Sequence, residues 1–125
     1  MKTIHSNAAP EPIGPYSQGI KFGETIFLSG QVAIDPETGK MDNESLESET
    51  QRVMKNIGAL LKSQELDFSN VIKCSIFLMD MSQFGVVNEI YGSYFSPPYP
   101  ARETVQVSKL PAGARVEISV IAGMS

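Results

Sequence analysis

Residues that usually carry chemistry are scarce in this chain. It has one cysteine, one histidine and no tryptophan among 125 residues. A lone cysteine excludes an intrachain disulfide, and with a lone histidine a His/Cys zinc site runs short of ligands. No apolar run reaches the length of a membrane span. Nothing near Met1 joins a positive start to a long apolar stretch, so no secretory leader is expected. Positive charge is in the minority: 10 Lys and Arg stand against 14 Asp and Glu, for a net charge of −4 and a pI near 4.9. That balance argues against a nucleic-acid or anionic-membrane surface, although a local basic spot can still hold an anion. No glycine-rich phosphate fingerprint is present and no nucleophile–base pair is legible. His5 has no obvious Asp or Cys partner. The expectation is a soluble, cytoplasmic, metal-free domain.

What is present is a globular balance, with 42% hydrophobic and 19% charged residues. The length predicts one domain, residues 1–125, able to bury a core. Lys2 to His5 reads as a short edge strand. "NAAPEPIGPYSQG" (7–19) is a loop with fixed bends, from three prolines and two glycines. "IKFGETIFLSGQ" (20–31) reads as two strand-like runs joined by a hairpin at Gly23-Glu24. From about Ser45 to Gln64, Leu46, Val53, Met54, Ile57, Leu60 and Leu61 recur at helical spacing, with Ser45 or Asn43 as cap. "NVIKCSIFLMD" (70–80) is a β-branched and aromatic strand in which Cys74 faces the core. A second helix is predicted from Met81 or Ser82 to Phe95, stopped by "SPPYP". "RETVQV" and "RVEISVIA" close the chain as strands. Two amphipathic helices cover only one face of a sheet, which makes the fold α+β.

Alternation assigns the apolar set of both final strands to the helix side. Arg102, Thr104 and Gln106 would then share the bare face with Arg115, Glu117 and Ser119. Such a face is either solvated or meets other subunits, whose clefts would set a few polar groups against apolar walls. Composition alone favours Arg102 as a structural ion pair with Glu103 or Glu117, or as a surface side chain. The functional alternative is a carboxylate clamp, because the planar guanidinium matches a carboxylate with two parallel hydrogen bonds. Glu117 is either a solvated ladder residue or a carboxylate that orients or deprotonates water. Asn88 reads as an exposed helix residue, Tyr16 as a core lid or a pocket wall, and Ser29-Gly30 as turn punctuation or pocket lining.

The motifs together are specific. "IGPYSQG" (13–19), "FLSGQ" (27–31), "VNEIYGSYF" (87–95), "PAR" (100–102), V-x-V-x-x-LP (105–111) and VEI-x-VIA (116–122) occur in that order. On them the chain resembles, end to end, the reactive-intermediate deaminase family, the RidA or YjgF proteins. The resemblance implies a chorismate-mutase-like mixed sheet with two helices on one face. It also implies a homotrimer with packed sheets and a pocket at each subunit interface. It further implies cofactor-free hydrolysis of 2-imino acids and their enamine tautomers, 2-iminobutanoate and 2-iminopropanoate, to 2-oxo acids and ammonia. Carried over by position, Arg102 is the carboxylate clamp and Glu117 positions the attacking water. Tyr16, Ser29, Gly30, Asn88 and Thr104 line the pocket.

Two positions depart from the family pattern. Glu103 stands where a small residue is usual, and Thr104 where cysteine is frequent. Alternation should point Glu103 away from the pocket. The rival readings are a trimer that binds a metabolite or acts in regulation or as a chaperone, and an endoribonuclease. The acidic balance weighs against the last.

Overall fold

The computed structural model describes residues 1–124. Six strands form one sheet: β1 (Lys2–Ile4), β2 (Gly19–Phe22), β3 (Thr25–Leu28), β4 (Val71–Leu78), β5 (Ala101–Gln106) and β6 (Val116–Gly123). Their order across the sheet is β1-β2-β3-β6-β4-β5. Two helices, α1 (Leu46–Ser63) and α2 (Phe84–Gly92), pack on one face. The α+β architecture read from the sequence is therefore present. Among the described residues no helix is long and apolar enough to cross a membrane.

Local chemistry explains the elements. Gly23, at φ 61°, turns β2 into β3, with Phe22 opposite Thr25 across the hairpin. The Ser45 hydroxyl accepts from the Ser48 N–H, and Ser48 returns a bond to the Ser45 backbone, so both groups cap α1. Glu47 and Glu49 in its first turn suit the positive end of the dipole. Its predicted stripe, from Leu46 to Leu61, is buried. α2 is shorter than predicted. Met81–Gln83 form a 3-10 turn capped by the Asp80 carboxylate, and the helix ends at Gly92. A helical connection lets β5 return parallel to β4, whereas β6 runs antiparallel to β4.

β6 is the spine of the molecule. Val116, Ile118, Val120 and Ala122 are buried on its helix side, beside Cys74, Ile76 and Leu78 of β4. Each such large side chain removed from water stabilises the fold by roughly 1.5–3 kcal/mol. The entry to β6 is fixed by charge. The Glu49 carboxylate, wholly buried on α1, accepts from the Arg115 N–H and Nε, both at 2.7 Å. Arg115 Nη2 also donates to the Asn43 carbonyl at 3.0 Å. Arg115 thus reaches α1 instead of joining the bare face, which corrects the alternation read from the sequence.

Arg115→Ala should cost about 3 kcal/mol in denaturant unfolding, the low end for a severed buried pair because the backbone N–H bond survives. Lys62→Ala, at an exposed position, should change stability by less than about 0.5 kcal/mol. Equal effects would contradict the role given to the buried carboxylate.

Candidate active site

Strand register decides where each predicted site residue points. β5 is an edge strand, and it pairs Arg102, Thr104 and Gln106 with Cys74, Ile76 and Leu78. Residues opposite each other share a face, and those three β4 residues are buried beneath the helices. Arg102, Thr104 and Gln106 therefore lie on the helix side of the sheet. Glu117 pairs with Phe77, which pairs with Val105, and so lies on the bare side with Ser119 and Ser75. The expectation that Arg102 and Glu117 share a face is overturned. Neither alternate set of β5 is distinctly apolar, so alternation within that strand carried no sign.

The ion pairs first considered for Arg102 do not form. Its Nη1 donates to the Asn88 side-chain oxygen at 2.6 Å. Its Cζ stands 5.2 Å from the Phe84 ring centroid and 5.1 Å from that of Tyr91. Phe84, Asn88 and Tyr91 are spaced four and three apart, so one stripe of α2 holds the guanidinium. Arg102, Asn88 and Tyr91 open on a cavity of about 470 Å³ that Gly92, Tyr99 and Pro100 complete. Asn88, whose plain reading was an exposed helix position, is a partner of the arginine. Phe84 and Tyr91 belonged to the predicted core stripe of this helix, and Tyr99 to a stop signal. Their spacing from Asn88 was the available clue.

Glu117 belongs to a second cavity, of about 560 Å³. Tyr16, Ser29 and Gly30 line it, with apolar walls from Val32, Ile34 and Pro111. The loop carrying Tyr16 is stitched in place by Gln18, which is buried. Its amide accepts from the Ser6 N–H at 2.6 Å and donates to the carbonyls of Ser6, Ala9 and Pro10. The Ser29 hydroxyl donates to the Ser17 carbonyl at 2.6 Å, leaving its lone pairs to accept. Gly30 makes room for Glu117: a Cβ there would stand 2.7 Å from Glu117 Oε2 and would displace the carboxylate. Burial pushes the Glu117 carboxyl above the ordinary glutamate range. His5, left without a partner by the sequence, meets Glu11 at 2.6 Å.

Six of the seven predicted residues thus fall into two groups. Asn88 and Arg102 meet at one cavity; Tyr16, Ser29, Gly30 and Glu117 meet at the other; the two linings have no residue in common. β4 lies between the strands that carry Arg102 and Glu117, putting those strands about 10 Å apart. Thr104 lines neither cavity. Its hydroxyl is buried without a hydrogen-bond partner.

Glu103 points away from Arg102, as alternation predicts. On the bare face it pairs with Lys73 at 3.2 Å and accepts from the Ser75 hydroxyl. Those bonds, Ser75 first, hold its carboxyl below the ordinary range. Phe27 and Val105, 45% and 40% exposed, show apolar surface on the same side.

Comparison with known proteins places the chain in a family. The family model described as Endoribonuclease L-PSP matches residues 6–124. Protein DfrA of Myxococcus xanthus is 50% identical over 123 residues, 97% of this chain and 94% of that protein. The mouse protein named 2-iminobutanoate/2-iminopropanoate deaminase is 46% identical over 121 residues, 97% of this chain and 90% of the relative. The crystal structure of Escherichia coli TdcF with bound serine superposes with a TM-score of 0.95 at 34% identity, covering 100% of both chains. With the match spanning nearly every residue and the fold shared, the chain belongs to the reactive-intermediate deaminase family.

Proposed function

We propose that this chain hydrolyses 2-imino acids and their enamine tautomers to 2-oxo acids and ammonia, at sites shared between copies in a cytoplasmic homotrimer. The observation that carries the reading is the division of the site. One cavity has a guanidinium and no carboxylate; the other has two carboxylates, Glu11 and the Glu117 whose pKa is raised, and no cation. Brought together across an interface, each supplies what the other lacks. The apolar surface around Phe27 and Val105 supports such an interface. A relative named for this deaminase activity, and another crystallised with serine, support a small carboxylate ligand.

The chemistry asks for little machinery. Arg102 pairs with the substrate carboxylate and fixes the C=N carbon. Glu117 accepts a proton from water as the oxygen bonds to that carbon and the C=N electron pair moves onto nitrogen. Glu117 then returns that proton to the nitrogen of the tetrahedral carbinolamine, the C–N bond breaks, and ammonia leaves as the hydroxyl gives its proton to solvent and the carbonyl forms. One water is consumed and one ammonia released, with no change in oxidation state. A carboxyl whose pKa is raised is a stronger base than an ordinary glutamate.

Three outcomes test the reading. When a threonine dehydratase releases imine in the presence of semicarbazide, the wild-type protein should suppress the semicarbazone signal. Arg102→Ala should lower kcat/KM roughly a hundredfold or more. An unchanged rate would contradict the clamp, and a bound metabolite without turnover would leave a sensor. Arg102→Ala and Glu117→Ala chains, each inactive alone, should regain about a quarter of wild-type activity when co-refolded in equal amounts. About three-quarters of random trimers are mixed, and each mixed trimer holds one intact site in three. No recovery would place the site within one chain. Finally, kcat/KM should fall as pH drops through the Glu117 pKa. Burial raises that pKa, so the fall should begin at a higher pH than an ordinary glutamate gives, and the residual activity of Glu117→Gln should lack this limb.

A further inference from the structure

Arg102 carries its charge on an unusual footing. Among the described residues it has no carboxylate partner; the nearby Glu103 is engaged on the other face. What surrounds it is one amide oxygen, two aromatic rings and the Tyr91 hydroxyl, which lies close to the guanidinium. Of the two rings, that of Tyr91 is the more firmly seated. It is 5% exposed, against the partly buried Phe84, and packs on the Phe95 ring with centroids 4.8 Å apart. Its hydroxyl lies beside the thiol of Cys74, the β4 residue opposite Arg102 in register. Burial pushes both the Tyr91 phenol and the Cys74 thiol upward, so each stays neutral near pH 7 and neither competes as an anion for the guanidinium.

We propose that Tyr91 is a positioning residue of the clamp: its ring fixes the plane of the Arg102 guanidinium and leaves an N–H edge, not a face, toward the cavity. A carboxylate is bound by that edge through parallel hydrogen bonds, and the rings are apolar walls that cannot replace it. Fixing the plane beforehand removes the cost of ordering a long side chain when the ligand arrives. The inference rests on the reading of Arg102 as a carboxylate clamp.

A ring that only fills core volume is separated from one that holds a cation by altering its electrons at nearly constant shape. Residue 91 is replaced by Phe and by mono-, di- and trifluorophenylalanine. Binding of 2-oxobutanoate is followed by calorimetry, with thermal unfolding as the control. Tyr91→Phe should stay within about 2-fold of wild type. Kd should then rise stepwise with fluorine count, reaching about 5-fold for the trifluoro ring. KM for the imino acid should follow, with kcat and Tm nearly level. A flat Kd across the series while wild type binds would overturn the positioning role and leave the clamp intact. So would a large loss already at Tyr91→Phe, which would shift the role to the hydroxyl. Failure of the wild-type protein to bind 2-oxobutanoate would instead remove the clamp, and this inference with it.

Discussion

Successive side chains on a strand point to opposite faces, and the layout of this molecule follows from how that constraint falls on β5 and β6. Ile118 and Cys74 face the helices, so Glu117 faces away from them and Arg102 toward them. No rotamer change brings a guanidinium through a sheet. The two groups suited to binding and hydrolysing an imino acid are therefore kept apart within a chain, and the proposed chemistry depends on a neighbouring copy.

Each half is prepared by its own scaffold. On the helix side, one stripe of α2 grips Arg102 by an amide oxygen and two rings. On the bare side, the glycine at position 30 lets the Glu117 carboxylate lie against backbone, and Gln18 ties down the loop that presents Tyr16. The pairing of the buried Glu49 with the part-exposed Arg115 anchors the start of β6 two residues before Glu117. Charge that would otherwise be exposed on the bare face is neutralised locally by Lys73 beside Glu103. Glu103 is thus kept from Arg102 by the pleat and occupied by its own partners.

Most elements were legible in the sequence because their signals are local. The α1 stripe, the Gly23 hairpin and the alternation of β6 each lie within a few residues. The orientation of β5 was not legible. Glu103 shares a set with Val105, Arg102 shares one with Thr104, and only pairing with β4 tells the two faces apart. The site residues were named by resemblance, and the same resemblance led to the expectation of sites shared between chains. Their division between two cavities needed the register. Tyr91 and Phe84 were hidden by a real ambiguity, since an aromatic residue on the buried stripe of a helix packs a core and grips a cation with the same spacing.

The central claim is that a single ligand touches both halves at once, each from a different chain. A crystal structure of the protein with 2-oxobutanoate tests it most directly. The account predicts the ligand carboxylate on the edge of Arg102 from one protomer, with its carbonyl carbon facing Glu117 of a neighbour. A ligand bound wholly within one chain, or seated with Arg102 turned away from it, would contradict the account.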